Sequence, residues 1–154
     1  MLKLCPTILL IALLTLITAI PSSSDASSSQ PAKAATVKHR LQELFGLCRS
    51  DSISLAAGYC VYRGPDKPRR WRDVYRPDVP EERKEVKDIC AEIKARLEQS
   101  DRYEFENFAT KRESEGIWYV WQLKFSRGSA SEAVSFAFLK VKGHYLLGDI
   151  DVNH

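Results

Sequence analysis

The last third of the chain, residues 103–151, restricts the fold more than any other stretch. It contains four runs in which apolar and polar residues alternate, separated by the turn-forming triplets Ser114–Gly116, Arg127–Ser129 and Lys142–His144. Alternation with a period of two is typical of strands with two distinct faces, and short glycine-containing breaks join antiparallel neighbours. This region therefore predicts a four-stranded antiparallel meander.

Two regions with helical periodicity, roughly 36–62 and 80–98, precede the predicted sheet. We expect a first helix from near Thr36, a short second helix after a break at 49–52, and a third helix that begins near Pro80. Apolar residues of the first and third helices recur at helical spacing: Val37, Leu41, Leu44, Phe45 and Cys48, then Val86, Ile89, Cys90, Ile93 and Leu97. The order predicts an α+β fold in which N-terminal helices pack on a curved four-stranded antiparallel sheet.

An apolar segment with a basic start precedes these regions. Lys3 is followed by a nearly unbroken run of apolar residues and threonines up to Ile20, and then by Pro21 and a Ser-rich tract. This layout is typical of a secretory signal, with cleavage after Ala26 or, as a second option, after Ala19. An uncleaved N-terminal membrane anchor is the alternative. We therefore expect an exported protein, either periplasmic or secreted.

The chain is expected to divide into a signal peptide at 1–26, a Ser-rich linker at 27–35 and one α+β domain at 36–154. About 120 residues can bury roughly two-thirds of their unfolded surface, which is enough for one core. The formal net charge of +3 is too small to indicate a nucleic-acid partner. The domain should therefore be single and soluble.

Three cysteines follow the predicted signal peptide: Cys48, Cys60 and Cys90. In an oxidising compartment two of them can pair, but the sequence does not rank the three pairings. Alternatively, Cys48 and Cys90 are buried thiols on apolar helix faces. The sequence has no CxxC motif, no metal-ligand spacing, no Ser-His-Asp order and no phosphate loop, so neither a metal nor a cofactor is predicted.

Both faces of the predicted sheet carry apolar side chains over part of their length. Tyr119 and Trp121 share one face of their strand, and Trp118 lies on the other. With Tyr145 of the last strand, these aromatics are candidates for the lining of a pocket, although core packing is an equally good interpretation. A sheet that is apolar on both sides needs helices on one side and a ligand, a partner or a second subunit on the other.

An arginine-rich connector, residues 63–77, links the second and third helices and is centred on Trp71. We expect one of its arginines to form a partly buried ion pair with an acidic residue of the sheet. The candidate arginines are Arg63, Arg69, Arg70 and Arg72, and the candidate partners are Asp149, Asp151, Glu113 and Glu115. The alternative use of these arginines is to bind a small anionic ligand.

The last strand resembles that of the nuclear transport factor 2-like superfamily, a cystatin-like α+β cone. It carries Gly143, Tyr145 and the segment Gly148–Asp151, and the element order over 36–151 agrees. The segments Tyr62–Asp66 and Glu113–Trp121 are also similar to segments of secreted bacterial proteins of that type. The resemblance implies the fold rather than an activity, because the superfamily contains enzymes, carriers and interaction modules.

These observations favour an exported, non-catalytic module that binds a small ligand or a protein partner through a pocket of the curved sheet. The alternative, implied by the resemblance, is a small isomerase-, cyclase- or dehydratase-like enzyme with Asp149 or Asp151 as a general base inside the cone. A homodimer formed through the outer face of the sheet is a further expectation.

Overall fold

The computed structural model describes residues 25–153, with side chains from Ser29 to Val152. Residues 1–24 of the predicted signal peptide lie outside this range. The elements are α1 (Asp25–Arg49), α2 (Ile53–Ala56), a 3₁₀ turn (Ala57–Tyr59), α3 (Pro80–Gln99), β1 (Arg102–Glu113), β2 (Gly116–Arg127), β3 (Ala130–Val141) and β4 (His144–Asn153). Within the described range, none of the helices combines the length and the apolar character that a membrane crossing requires.

The four strands form one antiparallel sheet in the order β1-β2-β3-β4. The β3–β4 hairpin turns at Lys142 and Gly143, whose φ values of 49° and 86° belong to the turn geometry that matches strand twist. Register shifts at Phe105/Asn107 and Ala137/Phe138 bend the sheet. The predicted α+β fold, with helices packed on a four-stranded antiparallel sheet, is confirmed.

Helices α1 and α3 cover one face of the sheet, which we call the inner face. Phe45 of α1 packs edge-on against Phe136, with ring centroids 5.4 Å apart. Phe136 and Phe138 are completely buried, and so are Leu41 and Leu44 of α1. Full burial of such a side chain stabilises the fold by about 1.5–3 kcal/mol. The inner face is therefore filled by the hydrophobic core.

Helix α1 begins at Asp25 rather than near Thr36, so the residues assigned to the Ser-rich linker, 27–35, are helical. The physical reason is composition, because the segment is rich in alanine, which has the highest helix propensity. Pro31 lies inside the helix, where it removes one intrahelical hydrogen bond. The segment is also anchored, since Trp121 Nε1 donates a hydrogen bond to the Ala34 carbonyl at 3.0 Å.

A disulfide between Cys48 and Cys90 joins α1 to α3. The sequence did not show which two cysteines pair. The alternative expectation, that Cys48 and Cys90 are buried free thiols, is wrong. Cys60 is a free and buried cysteine, and its burial raises the pKa of the thiol to about 12. A thiol with so high a pKa stays protonated and unreactive at neutral pH.

The other face of the sheet, the outer face, carries a second and smaller apolar cluster at one end. Val61, Trp118, Leu139 and Leu146 are buried but lie outside the main core. The connector supplies their cover, because Trp71 packs edge-on against Trp118 with ring centroids 5.6 Å apart. At this end, therefore, the chain itself provides the covering layer that an apolar outer face requires.

Candidate functional site

The connector is held in a closed loop against the edge of β4. The Val61 amide donates to the Leu147 carbonyl at 2.9 Å, which attaches the start of the connector to that strand. Tyr62 then donates its amide to the Asp73 carbonyl at 2.8 Å and accepts a hydrogen bond from the Trp71 amide at 2.9 Å. These bonds place the loop of residues 62–73 at the end of the sheet where β1 turns into β2.

Arg69 fastens this loop to α3. Its guanidinium donates to both carboxylate oxygens of Glu82, at 2.6 and 3.0 Å, to Asp73 at 3.2 Å and to the Val74 carbonyl at 2.9 Å. Glu82 also accepts the Arg76 amide at 2.6 Å. The hydrogen bonds from Arg69 hold the pKa of the Glu82 carboxyl below its usual value, and the same contact raises the pKa of Arg69. These contacts hold the connector to α3, and we call the cluster of Arg69, Asp73, Val74 and Glu82 the clamp around Arg69.

Sequence reasoning missed Glu82 as a partner of Arg69, because it considered only acidic residues of the sheet. A signal was present: Glu82 lies in the first turn of α3, close in sequence to the connector, where a carboxylate is expected. Among the expected pairs, Arg63 lies 3.4 Å from Asp149. Their side chains are 35% and 59% exposed, so the expected partial burial is wrong and the contact is a weak surface pair.

The other expected ion-pair residues lie apart from one another. Glu113 pairs with Lys111 of its own strand. Arg70 donates to the Gly64 carbonyl at 2.8 Å and thus braces the loop itself. The structure shows no pair between Arg70 or Arg72 and an acidic side chain within residues 29–152. These two guanidinium groups therefore keep their charge available at the surface.

The interior pocket expected from the sheet aromatics is not formed by the described residues. Tyr119 and Tyr145 are buried and pack edge-on against each other, with ring centroids 4.9 Å apart. Trp121 packs against Phe105 and anchors α1 through its indole nitrogen. Trp118 lies under Trp71 on the outer face. All four side chains serve packing: helices cover the inner face, and the connector covers Trp118 on the outer face.

Asp149 and Asp151 do not project into the sheet interior as expected for a general base. They lie in register with Ala137 and Ser135, whose side chains belong to the outer face, and both aspartates are exposed. The bulge after Ala137 displaces the register of β4 but leaves these carboxylates on the solvent side. The described residues also contain no group of three or more His, Cys, Asp or Glu side chains that could hold a metal ion.

A basic groove of about 360 Å³ lies between the connector and the β1–β2 turn. It is lined by Lys67, Arg70, Trp71, Arg72, Ser114 and Glu115. Three cationic side chains against one carboxylate give this groove a local excess of two positive charges. Its volume lies in the range of about 300–1,000 Å³ that is typical of ligand pockets.

Trp71, in the wall of this groove, has a strained backbone. Its φ is 64°, a left-handed conformation that costs about 1–2 kcal/mol for a residue with a Cβ atom. The hydrogen bond from the Trp71 amide to the Tyr62 carbonyl and the edge-on contact with Trp118 hold it there. Strained residues are frequent at binding sites, because the surrounding structure has to enforce an orientation that the residue would not adopt by itself.

The indole N–H of Trp118 is buried beside this groove without a hydrogen-bond partner among the described residues. It lies near Glu115, whose pKa is lowered first by a backbone N–H, then by the Ser114 hydroxyl and, to a smaller extent, by this indole. The contact with Glu115 is electrostatic, since it does not meet hydrogen-bond geometry. A buried donor without a partner costs about 1–3 kcal/mol, which an acceptor at this position would recover.

No protein-family model matches the chain, and no curated protein matches it. A solved structure from Catenulispora acidiphila is similar over 82% of this chain and 94% of its own, with 16% sequence identity and a TM-score of 0.47. A similarity at this level carries no inference about function.

Proposed function

We propose that this protein is an exported, non-catalytic module that binds an anionic group of a ligand or protein partner in the basic groove. One observation carries the proposal: the groove gathers Arg70 and Arg72, neither paired with a carboxylate, around the strained Trp71. Arginine binds carboxylate and phosphate oxygens through two parallel hydrogen bonds, and an indole ring offers a flat apolar surface next to them. An anion attached to a planar or apolar group suits both features.

The placement of the acidic residues supports binding rather than proton transfer. A general base has to lie within hydrogen-bond reach of a bound substrate, in a site that excludes water. Asp149 and Asp151 lie exposed on the outer face instead, and the buried Glu82 is committed to Arg69. The enzyme alternative therefore lacks support from the residues on which it was based.

Export is supported by two independent features. The apolar segment at 4–20 has the layout of a signal, and the disulfide between Cys48 and Cys90 is of the kind that forms in oxidising compartments. A retained N-terminal anchor would display the same domain at a membrane surface. Membership of the nuclear transport factor 2-like superfamily belongs to this proposal as well, supported by the element order and by the motif of the last strand.

The proposal is tested by NMR titration of the protein with benzoate, with benzamide as its neutral near-isostere, and with inorganic phosphate. The protein has three tryptophans, and their indole N–H signals report on different places. Trp71 and Trp118 lie at the groove, whereas Trp121 donates to Ala34 on the inner face. Benzoate should shift the signals of Trp71 and Trp118 and leave that of Trp121 unchanged, and added salt should weaken the effect.

The arginines are tested with the double variant Arg70→Gln/Arg72→Gln, which should bind benzoate about tenfold more weakly because two charge-assisted hydrogen bonds are lost. Arg102→Gln/Arg127→Gln is the matched control, since both arginines are exposed but lie at the start of β1 and the end of β2, away from the β1–β2 turn. Equal binding of benzamide, or an Arg70→Gln/Arg72→Gln variant that binds as well as the control, would overturn the proposal. So would the absence of any shift at millimolar benzoate and phosphate.

A further inference from the structure

A second groove, of about 480 Å³, lies on another side of the connector, between it and the first two turns of α3. Apolar side chains from the segment before α3 form most of its surface, and two carboxylates of α3 stand at its rim. The apolar residues are Tyr62, Pro65, Tyr75 and Val79, and the rim residues are Glu81 and Glu85. It shares no lining residue with the basic groove, so it is a separate site.

The charge of this second groove is negative although the chain carries a formal charge of +3. Two further charged residues reach it, but each already has a partner: Glu82 is bound by Arg69, and Arg63 lies against Asp149. Glu81 and Glu85 remain, four residues apart on one side of α3 and both exposed. Glu85 interacts electrostatically with its neighbour Lys84, but Lys84 itself pairs with Asp88. Two carboxylates are thus left for an external cation.

The structure itself shows what kind of cation this region accepts. The guanidinium of Arg69 lies over the ring of Tyr62, 4.1 Å from its centroid, while its nitrogens bind Glu82. An aromatic ring next to a carboxylate on α3 therefore already holds one arginine side chain. The second groove brings two further carboxylates, Glu81 and Glu85, to the same pair of rings. Tyr62 and Tyr75 have ring centroids 5.5 Å apart and are almost fully buried, so they contribute only a small accessible surface to it.

We infer that this groove binds a basic side chain, arginine or lysine, presented by an extended segment of a partner protein. Such side chains have an apolar stem that suits the Tyr62, Pro65 and Val79 surface, and a charged head that suits Glu81 and Glu85. The volume of the groove exceeds that of a single side chain, so it also admits an apolar neighbour of the basic residue. The positive end of the α3 dipole opposes a bound cation, but it is equivalent to only about half an elementary charge, which is less than the two negative charges of Glu81 and Glu85.

The test is a titration of the protein with the blocked tetrapeptide Gly-Arg-Leu-Gly and with the same peptide carrying citrulline, the neutral isostere of arginine. The amide signals of Val79, Glu81 and Glu85 should shift with the arginine peptide, which should bind about tenfold more tightly than the citrulline peptide. The double variant Glu81→Gln/Glu85→Gln should lose about the same factor. Both glutamates are exposed, so these variants should fold, which their melting temperatures will verify.

The matched control is Glu98→Gln/Glu106→Gln, which removes the same charge at exposed positions away from the groove. It should bind the arginine peptide as the unmodified protein does. Equal binding of both peptides would show that the groove does not distinguish a charged side chain from a neutral one, and would overturn the inference. Unchanged binding in the Glu81/Glu85 variant, no binding at millimolar peptide, or preference for tetramethylammonium over the peptide would overturn it as well. The benzoate titration is independent, because it reports on different residues.

Discussion

Replacement of Glu82 by glutamine tests whether the clamp around Arg69 holds the connector to α3. The Glu82 carboxylate accepts two hydrogen bonds from Arg69 and one from the Arg76 amide. A glutamine of similar shape offers only one acceptor oxygen, and its amide group would face the donors of Arg69. The change therefore leaves a cation partly buried without its main counter-charge.

The magnitude follows from the burial of the pair. Only 13% of the Arg69 side chain and 11% of the Glu82 side chain are exposed, so screening by solvent is small. Loss of one partner of a buried pair costs about 3–5 kcal/mol. Asp73 remains as a second carboxylate at 3.2 Å from Arg69 and retains part of the interaction. We therefore expect a loss of about 2–3 kcal/mol, which corresponds to a melting temperature lower by roughly 6–9 °C.

The loss should also depend on pH. Arg69 lowers the pKa of the Glu82 carboxyl in the folded protein below the unfolded value of about 4.3. The stability that this shift contributes is present above pH 4.3 and disappears as the pH falls through the lower folded pKa. Thermal unfolding of the two proteins should therefore differ most near neutral pH, and the difference should shrink towards pH 3.

Two controls make the result interpretable. Glu85→Gln removes an exposed carboxylate from the next turn of α3 and should change stability by no more than about 0.5 kcal/mol. The double variant Arg69→Met/Glu82→Leu removes both charges and should recover part of the loss, since apolar replacement of a buried pair is often neutral, while Asp73 and the Arg76 amide still lose a partner. A Glu82→Gln variant as stable as Glu85→Gln at neutral pH would refute the clamp.

Three further predictions concern packing, strain and the disulfide. Gly148→Ala should cost about 1–3 kcal/mol, because a Cβ there would meet a tryptophan ring at 2.6 Å. Gly46→Ala, in the last turn of α1 where an added Cβ meets nothing within 4 Å, should stabilise by about 0.5 kcal/mol; chemical denaturation measures both. Trp71→Gly should be about 1 kcal/mol more stable than Trp71→Ala, since only glycine relieves the positive φ, and equal denaturation midpoints would contradict this. Reduction of Cys48–Cys90, which closes a loop with a sequence separation of 42, should destabilise the fold by about 4 kcal/mol, and an unchanged melting temperature under reducing conditions would contradict it.

The sheet was predictable because its information is local. Alternation along each strand determines which side chains share a face, and a turn at Lys142–Gly143 determines the register of the hairpin. The apolar face of α3 was equally predictable from helical spacing, and its residues Val86, Cys90 and Ile93 are all buried. The start of α1 was not, because serine-rich composition suggests a linker, while the contact of Trp121 with Ala34 is a tertiary interaction.

The site was less predictable because its residues meet only through the path of the connector. The sequence indicated that the arginines would find acidic partners, and it included the pair of Arg63 and Asp149 among the candidates. It could not show that Arg69 turns inward to α3 while Arg70 and Arg72 stay outside. Nor could it show that Trp71 crosses to the outer face, because this depends on a backbone conformation that tryptophan rarely adopts.

The outer face of the sheet beyond the connector bears on the expected homodimer. Its central row consists of Ala109, Val120 and Ala137, which are small side chains and at least partly exposed. Stable interfaces bury about 800 Å² per partner around large apolar or arginine anchors. The large aromatics of this face, Trp118 and Trp71, are instead packed against each other. A dimer through this face would gain little stability from its central row, because these side chains are small. The homodimer stays a prediction, which light scattering would test. The side chains best suited to recognition, unpaired charges beside aromatic rings, lie in the two grooves along the connector.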